Sequence, residues 1–170
     1  MTKKELKKIL DDHKDWLESD GKKGARAILT GANLREAILT EADLAEANLA
    51  EANLAKADLR GADLAGAILR WANLTGATLT RADLTGANLV GANLNKADLR
   101  WAILADAVLA GADLREADLR KANLTGANLA YADLLGADLA DADLAGVNLV
   151  NAILDNVMLT GSDLTGAKWK

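Results

Sequence analysis

The sequence predicts an all-β solenoid with a leucine-filled interior, preceded by one α-helix. From Leu29 to Leu164 every fifth residue is Leu, 28 in succession, and 25 of the 28 positions two residues before these leucines are Ala. The third observation is a helical spacing of apolar residues that is confined to residues 2–18. We therefore expect residues 1–24 to form a capping helix and turn, and residues 25–170 to form the repeat domain.

A period of five residues excludes a long helix and a long strand. At about 100° per residue, successive leucines would move by about 140° and cover every face of a helix. In an uninterrupted strand, an odd step sends alternate leucines to opposite faces. Ala and Leu are two residues apart, however, so a short extended segment points both the same way. The unit A-[D/N]-L-x-x, with Asp or Asn before 20 of the 28 leucines and Gly frequent at the second x, therefore predicts short extended sides joined by turns.

This unit and its 28-fold repetition resemble the pentapeptide-repeat family over residues 25–168. The resemblance implies a right-handed quadrilateral β-helix with Leu and Ala inward and four pentapeptides per coil, which gives about seven coils here. Members of that family that inhibit DNA gyrase are acidic rods resembling DNA in size and charge, and they dimerise through their C-terminal coils. This chain departs from them because it has no Phe, which they favour at many central positions, and no inserted loop.

Each end of the solenoid carries its own expectation. Thr2 and Glu5 fit a capping box at the start of the helix. An uncovered coil exposes leucines and unpaired strand edges, so we expect the helix to cover the first coil; the alternative is that it docks a partner helix. The covering residues are Leu6, Leu10, Trp16 and Leu17. The resemblance implies a homodimer through the C-terminal coil, for which Val157, Met158 and Trp169 are the candidate contact; the alternative is a monomer whose Trp169 folds over the end.

The composition argues against an enzyme and predicts no cofactor and no metal centre. The chain has one histidine, His13, and no cysteine, so His- or Cys-based metal sets and catalytic triads cannot be assembled. We expect His13 to be structural, on the apolar face of the helix. No stretch reaches 18 apolar residues and the first residues do not resemble a signal peptide, which predicts a soluble, cytoplasmic protein without membrane contact. A net charge of −5 disfavours direct nucleic-acid binding.

Function is therefore expected on the outward positions, as a scaffold or protein-interaction module of unassigned partner. Sorting these positions by a 20-residue period gives two candidate faces. The acidic face consists of Asp43, Glu46, Asp63, Asp83, Asp106, Asp143 and Asp163. The apolar partner face consists of Ile28, Ile68, Trp71, Val90, Val108, Tyr131 and Val150.

Both faces carry alternatives. For the acidic face, the resemblance to the gyrase-inhibiting members implies a DNA-mimic binder or inhibitor of DNA gyrase or topoisomerase. A second alternative is weak cation binding by stacked Asp43, Asp63 and Asp83. The apolar partner face is also consistent with ordinary β surface lined by an asparagine ladder. Trp71 and Trp101 each follow an Arg, so stacking on a guanidinium is an alternative role for these two rings.

Overall fold

The computed structural model describes residues 1–169, in which the helix α1 spans Lys3–Glu18. The capping box is confirmed: the Glu5 N–H donates to Thr2 Oγ1 at 3.2 Å, and the Thr2 N–H donates to Glu5 Oε2 at 2.7 Å. The helix ends at a cap on Ser19. Gly24 has a φ of +65°, and a Cβ there would overlap the Asp12 carbonyl oxygen, so the tight return of the chain beneath α1 requires glycine.

After α1 the described chain forms a ladder of 25 isolated parallel β-bridges, from Ile28↔Asn48 to Asn148↔Lys168. The bridging residue is the one before Leu, except for Lys168 in the last bridge, and the two partners of each bridge are 20 positions apart. Bridging residues follow each other every five positions, so each 20-residue segment contains four of them. The sequence repeat of five thus becomes a structural repeat of 20.

Four backbone hydrogen bonds recur along the ladder, and one of them runs from the left-handed residue to the following coil, as from the Lys96 N–H to the Arg115 carbonyl at 3.0 Å. The Leu94 N–H donates to the Asp113 carbonyl of the following coil at 2.7 Å. The Asp113 N–H donates back to the Ala92 carbonyl at 3.0 Å. The Ala97 N–H donates to the Leu94 carbonyl at 2.9 Å and closes the turn. Each coil therefore uses its backbone donors and acceptors on the coils before and after it, as buried backbone requires.

The interior is filled by the repeated Leu and Ala side chains, as the sequence predicts. Every repeat leucine from Leu44 to Leu129 has no exposed surface, and the alanines two residues before these leucines, from Ala47 to Ala127, are at most 1% exposed. The last described coil differs because Leu154, Leu159 and Leu164 are only half-buried. No coil lies beyond these leucines in the described part of the chain, so one end of the apolar interior is open.

All 28 turns between sides use a left-handed residue at the second position after Leu. The φ values there lie between +56° and +78°, in 12 glycines and 16 other residues such as Glu36 and Trp71. A left-handed conformation costs a non-glycine residue about 1–2 kcal/mol. The turn is therefore imposed by the packing and the ladder on either side of it, and glycine is favourable there without being required.

Candidate functional site

The Asp or Asn before Leu has a structural task that sequence reasoning missed. In all 20 repeats that carry one, the side-chain Oδ1 accepts a hydrogen bond from the backbone N–H two residues later, at 2.8–3.3 Å. This is an Asx turn, which both Asp and Asn can form. The signal in the sequence was the free interchange of the two residues at one position.

Five members of the acidic face lie in one column of the ladder, whereas Glu46 and Asp106 occupy left-handed turn positions. Asp43 bridges Asp63, which bridges Asp83, and Asp143 bridges Asp163, with Ile103 and Asn123 between the two groups. Asp83 is half-buried, and the other members of the face are exposed. None of these carboxylates pairs with a cation within residues 1–169, so the face keeps its negative charge. The Thr165 hydroxyl, followed by its N–H, holds the pKa of Asp163 below its usual value.

The stacked carboxylates do not assemble a metal site. Among residues 1–169, no three His, Cys, Asp or Glu side chains are placed to share an ion. One oxygen of each of Asp43, Asp63 and Asp83 is engaged by its Asx turn. The cation-binding alternative therefore has no site among these residues.

The neighbouring column neutralises its own charge. Arg60 holds Asp58 through two hydrogen bonds, Nε to Oδ1 at 2.8 Å and one terminal nitrogen to Oδ2 at 2.6 Å. The bonds from Arg60 lower the pKa of Asp58 to about 2. Arg100 forms the same fork with Asp98 and also lies 3.6 Å from Asp118 of the next coil. This column is therefore a ladder of paired charges with little net field.

The apolar partner face lies along a column in which Ile28, Ile68 and Val108 alternate with asparagines, and in which Asn128 and Asn148 then follow each other. Ile28 and Trp71 are each 60% exposed, and Tyr131 is 68% exposed. The remaining members, Ile68, Val90, Val108 and Val150, are half-buried. The asparagine ladder is present as well, since Asn148 Nδ2 donates to Asn128 Oδ1 at 3.1 Å.

Trp71 and Trp101, which lie at left-handed turn positions, contact partners other than a guanidinium group. The Trp71 ring lies over Gly91, where an added Cβ would overlap ring atoms Cζ3 and Cε3. The Trp101 ring faces the Lys121 ammonium, with Nζ 4.6 Å from the ring centroid. The partner comes from the coil above in both cases, because corner residues stack along the rod with the 20-residue repeat.

The helix α1 covers part of the first coil. Leu6 and Leu10 pack against the interior together with Ile9. Trp16 stacks on His13 with ring centroids 5.6 Å apart, and Leu17 is half-buried. The apolar side chains of α1 that cover the first coil therefore lie in the first half of the helix. Trp16 packs on the buried His13.

His13 is fully buried and fills a gap in the ladder. In later repeats the alanine N–H donates to the carbonyl of the preceding Leu, but the first repeat has no preceding Leu. His13 Nδ1 instead accepts the Ala27 N–H at 3.1 Å. Burial lowers the pKa of His13, and the Ala45 carbonyl and the Asp43 carboxylate oppose this shift. Because only a neutral imidazole can accept at Nδ1, this hydrogen bond gives His13 a structural role between the cap and the first repeat.

At the opposite end, the proposed dimer contact is accessible. Met158 is 51% exposed and Trp169 is 46% exposed, while Val157 is half-buried. Lys170 lies outside the described residues. These side chains lie beside the half-buried leucines of the last coil.

The comparison with known families decides the classification of the chain. The model of the pentapeptide repeats matches eight copies, over residues 27–66, 67–106, 102–139 and 132–168. The chain belongs to the pentapeptide-repeat family. No curated protein matches this pentapeptide-repeat protein. Within residues 1–169 it has no helix that is both long and apolar enough to cross a membrane.

Several solved structures are similar to this pentapeptide-repeat protein. A pentapeptide-repeat protein of the Arabidopsis thaliana thylakoid lumen is 38% identical, with 56% of this chain and 59% of that chain covered and a TM-score of 0.41. Rfr23 from the cyanobacterium Cyanothece is 39% identical, covering 55% and 64%, with a TM-score of 0.36. HetL from Nostoc, a protein involved in heterocyst differentiation regulation, is 37% identical, covering 84% and 82%, also with a TM-score of 0.36. The match thus spans less than two thirds of the first two relatives.

Proposed function

We propose that this protein is a non-enzymatic, cytoplasmic scaffold whose apolar partner face binds another protein. The observation that carries the proposal is the exposure of Trp71 and Tyr131, 60% and 68%, on a column with few charges. Exposed apolar patches that contain aromatic residues are typical of protein-binding surfaces. The leucine positions of the interior are the same in every repeat, so specificity has to come from such outward positions.

The geometry of the face favours a protein partner over a small molecule. Trp71 and Tyr131 occupy the same corner three coils apart, which corresponds to roughly 14 Å along the rod at β spacing. The β-bridges between them repeat every 20 residues, so the surface is regular along the rod. A preformed rigid surface loses little conformational freedom on binding, which favours affinity. Two aromatic anchors at this separation suit an elongated protein surface.

The experiment compares three proteins as bait in affinity capture with quantitative mass spectrometry. These are the wild type, Trp71→Ser with Tyr131→Ser, and Asp63→Asn with Asp143→Asn. The Asn variant removes charge and keeps the Asx turns, because Asn forms the same turn elsewhere in the ladder. We expect a partner that the aromatic variant loses and the Asn variant retains. A partner set unchanged by the aromatic variant would contradict the proposal.

A second candidate function rests on the acidic face. The unpaired column through Asp43, Asp63 and Asp83 gives the DNA-mimic alternative a continuous stretch of negative charge. The spacing is one charge per coil, about 4.8 Å, against about 1.7 Å in duplex DNA, so the mimic would be sparse. A gyrase supercoiling assay at micromolar protein tests it: inhibition should disappear when the three aspartates become Asn. Absence of inhibition by the wild type would remove this candidate.

Three structural expectations complete the proposal. We infer that the repeat region, 25–170, closes as about seven right-handed, four-sided coils and that residues 1–24 act as its cap.

We also propose a homodimer through Val157, Met158 and Trp169, supported by the half-buried leucines beside them. Light scattering tests the dimer, which Val157→Lys should dissociate. A single species of 17.8 kDa in the wild type would overturn it.

A further inference from the structure

The first coil has an edge that α1 leaves uncovered. A groove of about 490 Å³ lies between the first half of α1 and residues 33–38. Leu6 and Leu10 of α1 form its inner wall, and Leu34 and Ala37 of the first coil form its floor. Ile38 stands at its rim and is 81% exposed, more than any other large apolar side chain of residues 1–169. The groove is thus apolar along one side of a β edge.

The backbone along this groove lacks the partners that the ladder supplies elsewhere. In later coils the residue before Leu donates its N–H to an alanine carbonyl of the preceding coil, as Asn53 does to Ala32 at 2.9 Å. The N–H groups of Asn33 and Ile38 make no such bond within residues 1–169. Their carbonyls, and that of Arg35, accept none either. An unpaired edge of this kind is a template for another strand.

We propose that this groove binds an extended peptide segment of a partner protein by β-strand addition, parallel to residues 32–39. The pairing of neighbouring coils shows which sequence such a segment needs. Within the rod, each A-x-L segment pairs with the following coil: its leucine N–H donates to the carbonyl 19 residues later, which precedes the leucine stacked on it. The occupant therefore has two small–x–Leu units separated by a two-residue turn. Its two leucine N–H groups donate hydrogen bonds to the carbonyl oxygens of Asn33 and Ile38. The carbonyl oxygens of its two small residues accept hydrogen bonds from the N–H groups of Asn33 and Ile38.

The side chains around the groove support the same occupant. The apolar wall and floor receive the leucines of the segment, as interdigitated leucines do within the rod. The rim charges are largely paired: Lys7 lies 2.6 Å from Asp11, and Arg35 lies 3.1 Å from Glu36. Lys3 has no such pair within residues 1–169 and lines the groove, which favours an acidic residue on the outward side of the segment. Main-chain bonds give affinity in this mode, and the inward side chains give specificity.

The test uses a labelled synthetic peptide with the sequence of residues 51–60, EANLAKADLR, which occupies the same two sides one coil further along. Its control is the same peptide with both leucine nitrogens methylated. The protein variant is Ile38→Pro, which removes the unpaired N–H from an edge and breaks no bond of the ladder. Ile38→Thr retains the N–H as the matched control.

We expect saturable binding of the unmodified peptide by fluorescence anisotropy, roughly tenfold weaker with Ile38→Pro and close to wild type with Ile38→Thr. Methylation should weaken binding by about a hundredfold, because two donors are lost. Equal binding of the methylated peptide, or no binding to the wild type at millimolar concentration, would overturn the proposal. Self-association of the wild type that Ile38→Pro abolishes would overturn it in favour of a second copy. The Trp71→Ser, Tyr131→Ser variant should bind the peptide normally, which keeps this surface separate from the apolar partner face.

Discussion

The contact between Trp71 and Gly91 gives the sharpest test of how corner residues pack along the rod. Gly91→Ala introduces two separate penalties. The first is the left-handed backbone, with a φ of +65°. The second is steric, because the new Cβ would overlap the indole ring and lie 2.7 Å from its Cη2 atom. Gly111→Ala is the matched control, since its φ is +66° and nothing lies within 4 Å of the added Cβ.

The two penalties differ enough in size to be separated. Left-handed strain lowers the free energy of unfolding by about 1–2 kcal/mol in both variants. Trp71 is 60% exposed, so its buried fraction corresponds to roughly 100 Å² of an aromatic side chain. Displacing that surface into water costs about 2.5 kcal/mol at most. We therefore expect Gly91→Ala to be less stable than Gly111→Ala by about 1–2.5 kcal/mol.

Guanidinium unfolding followed by circular dichroism measures this difference, provided that both variants unfold with the same m-value. A double-mutant cycle locates its origin. In a Trp71→Ala background, Gly91→Ala should lower the free energy of unfolding no more than Gly111→Ala does, because there is no indole ring for the new Cβ to displace. Equal costs of the two glycine substitutions in the wild-type background would refute the packing of Trp71 on Gly91. If Gly91→Ala remained less stable than Gly111→Ala in the Trp71→Ala background, the loss could not be explained by displacement of the Trp71 ring.

Three further predictions concern the core, the Asx turns and the cap. Leu94→Asp should unfold the neighbouring coils because Leu94 is fully buried, whereas Leu164→Asp, at a half-buried position, should lose far less dichroism; equal losses would contradict the inward assignment. Asp143→Ala should lower the free energy of unfolding by about 1 kcal/mol, while Asp143→Asn should change it little, and denaturant unfolding of both variants checks the Asx turn. His13 has a lowered pKa in the folded state, so its contribution is complete above about pH 6.5 and declines as the pH falls through the folded value. The melting temperature of the wild type should accordingly drop more between pH 7.5 and 5.5 than that of His13→Gln, and parallel curves would contradict this role.

The sequence allowed the interior to be predicted because burial repeats with the chain. Leu94 and its 27 counterparts follow one rule, and hydrophobic periodicity reports that rule directly. The capping box at Thr2 and Glu5 was predictable for a similar reason, since both partners lie within one turn of helix. Local patterns of this kind are visible without knowledge of the fold.

What could not be predicted depends on contacts between coils or between the cap and the first coil. The stacking of Trp71 on Gly91 joins residues 20 apart, and the sequence near Trp71 suggested a neighbouring arginine instead. The bond between His13 and Ala27 requires knowing which N–H the first repeat leaves unpaired. The left-handed turn at Glu36 and similar residues contradicts their intrinsic preference, because the ladder overrides it. The uncovered edge at residues 33–38 depends on where α1 lies.

The Asx turns have a consequence for how such a protein can change over evolutionary time. Eleven of the 20 turn residues are Asp and nine are Asn, and both types make the same hydrogen bond. A single-base change interconverts the two residues, with little effect on the fold. Successive neutral exchanges could therefore carry the rod from a net charge of −5 to a net positive charge while its core and ladder stay constant. Surface potential in this architecture drifts independently of stability, so a lineage can acquire or lose an electrostatic partner without first compensating for a weakened fold.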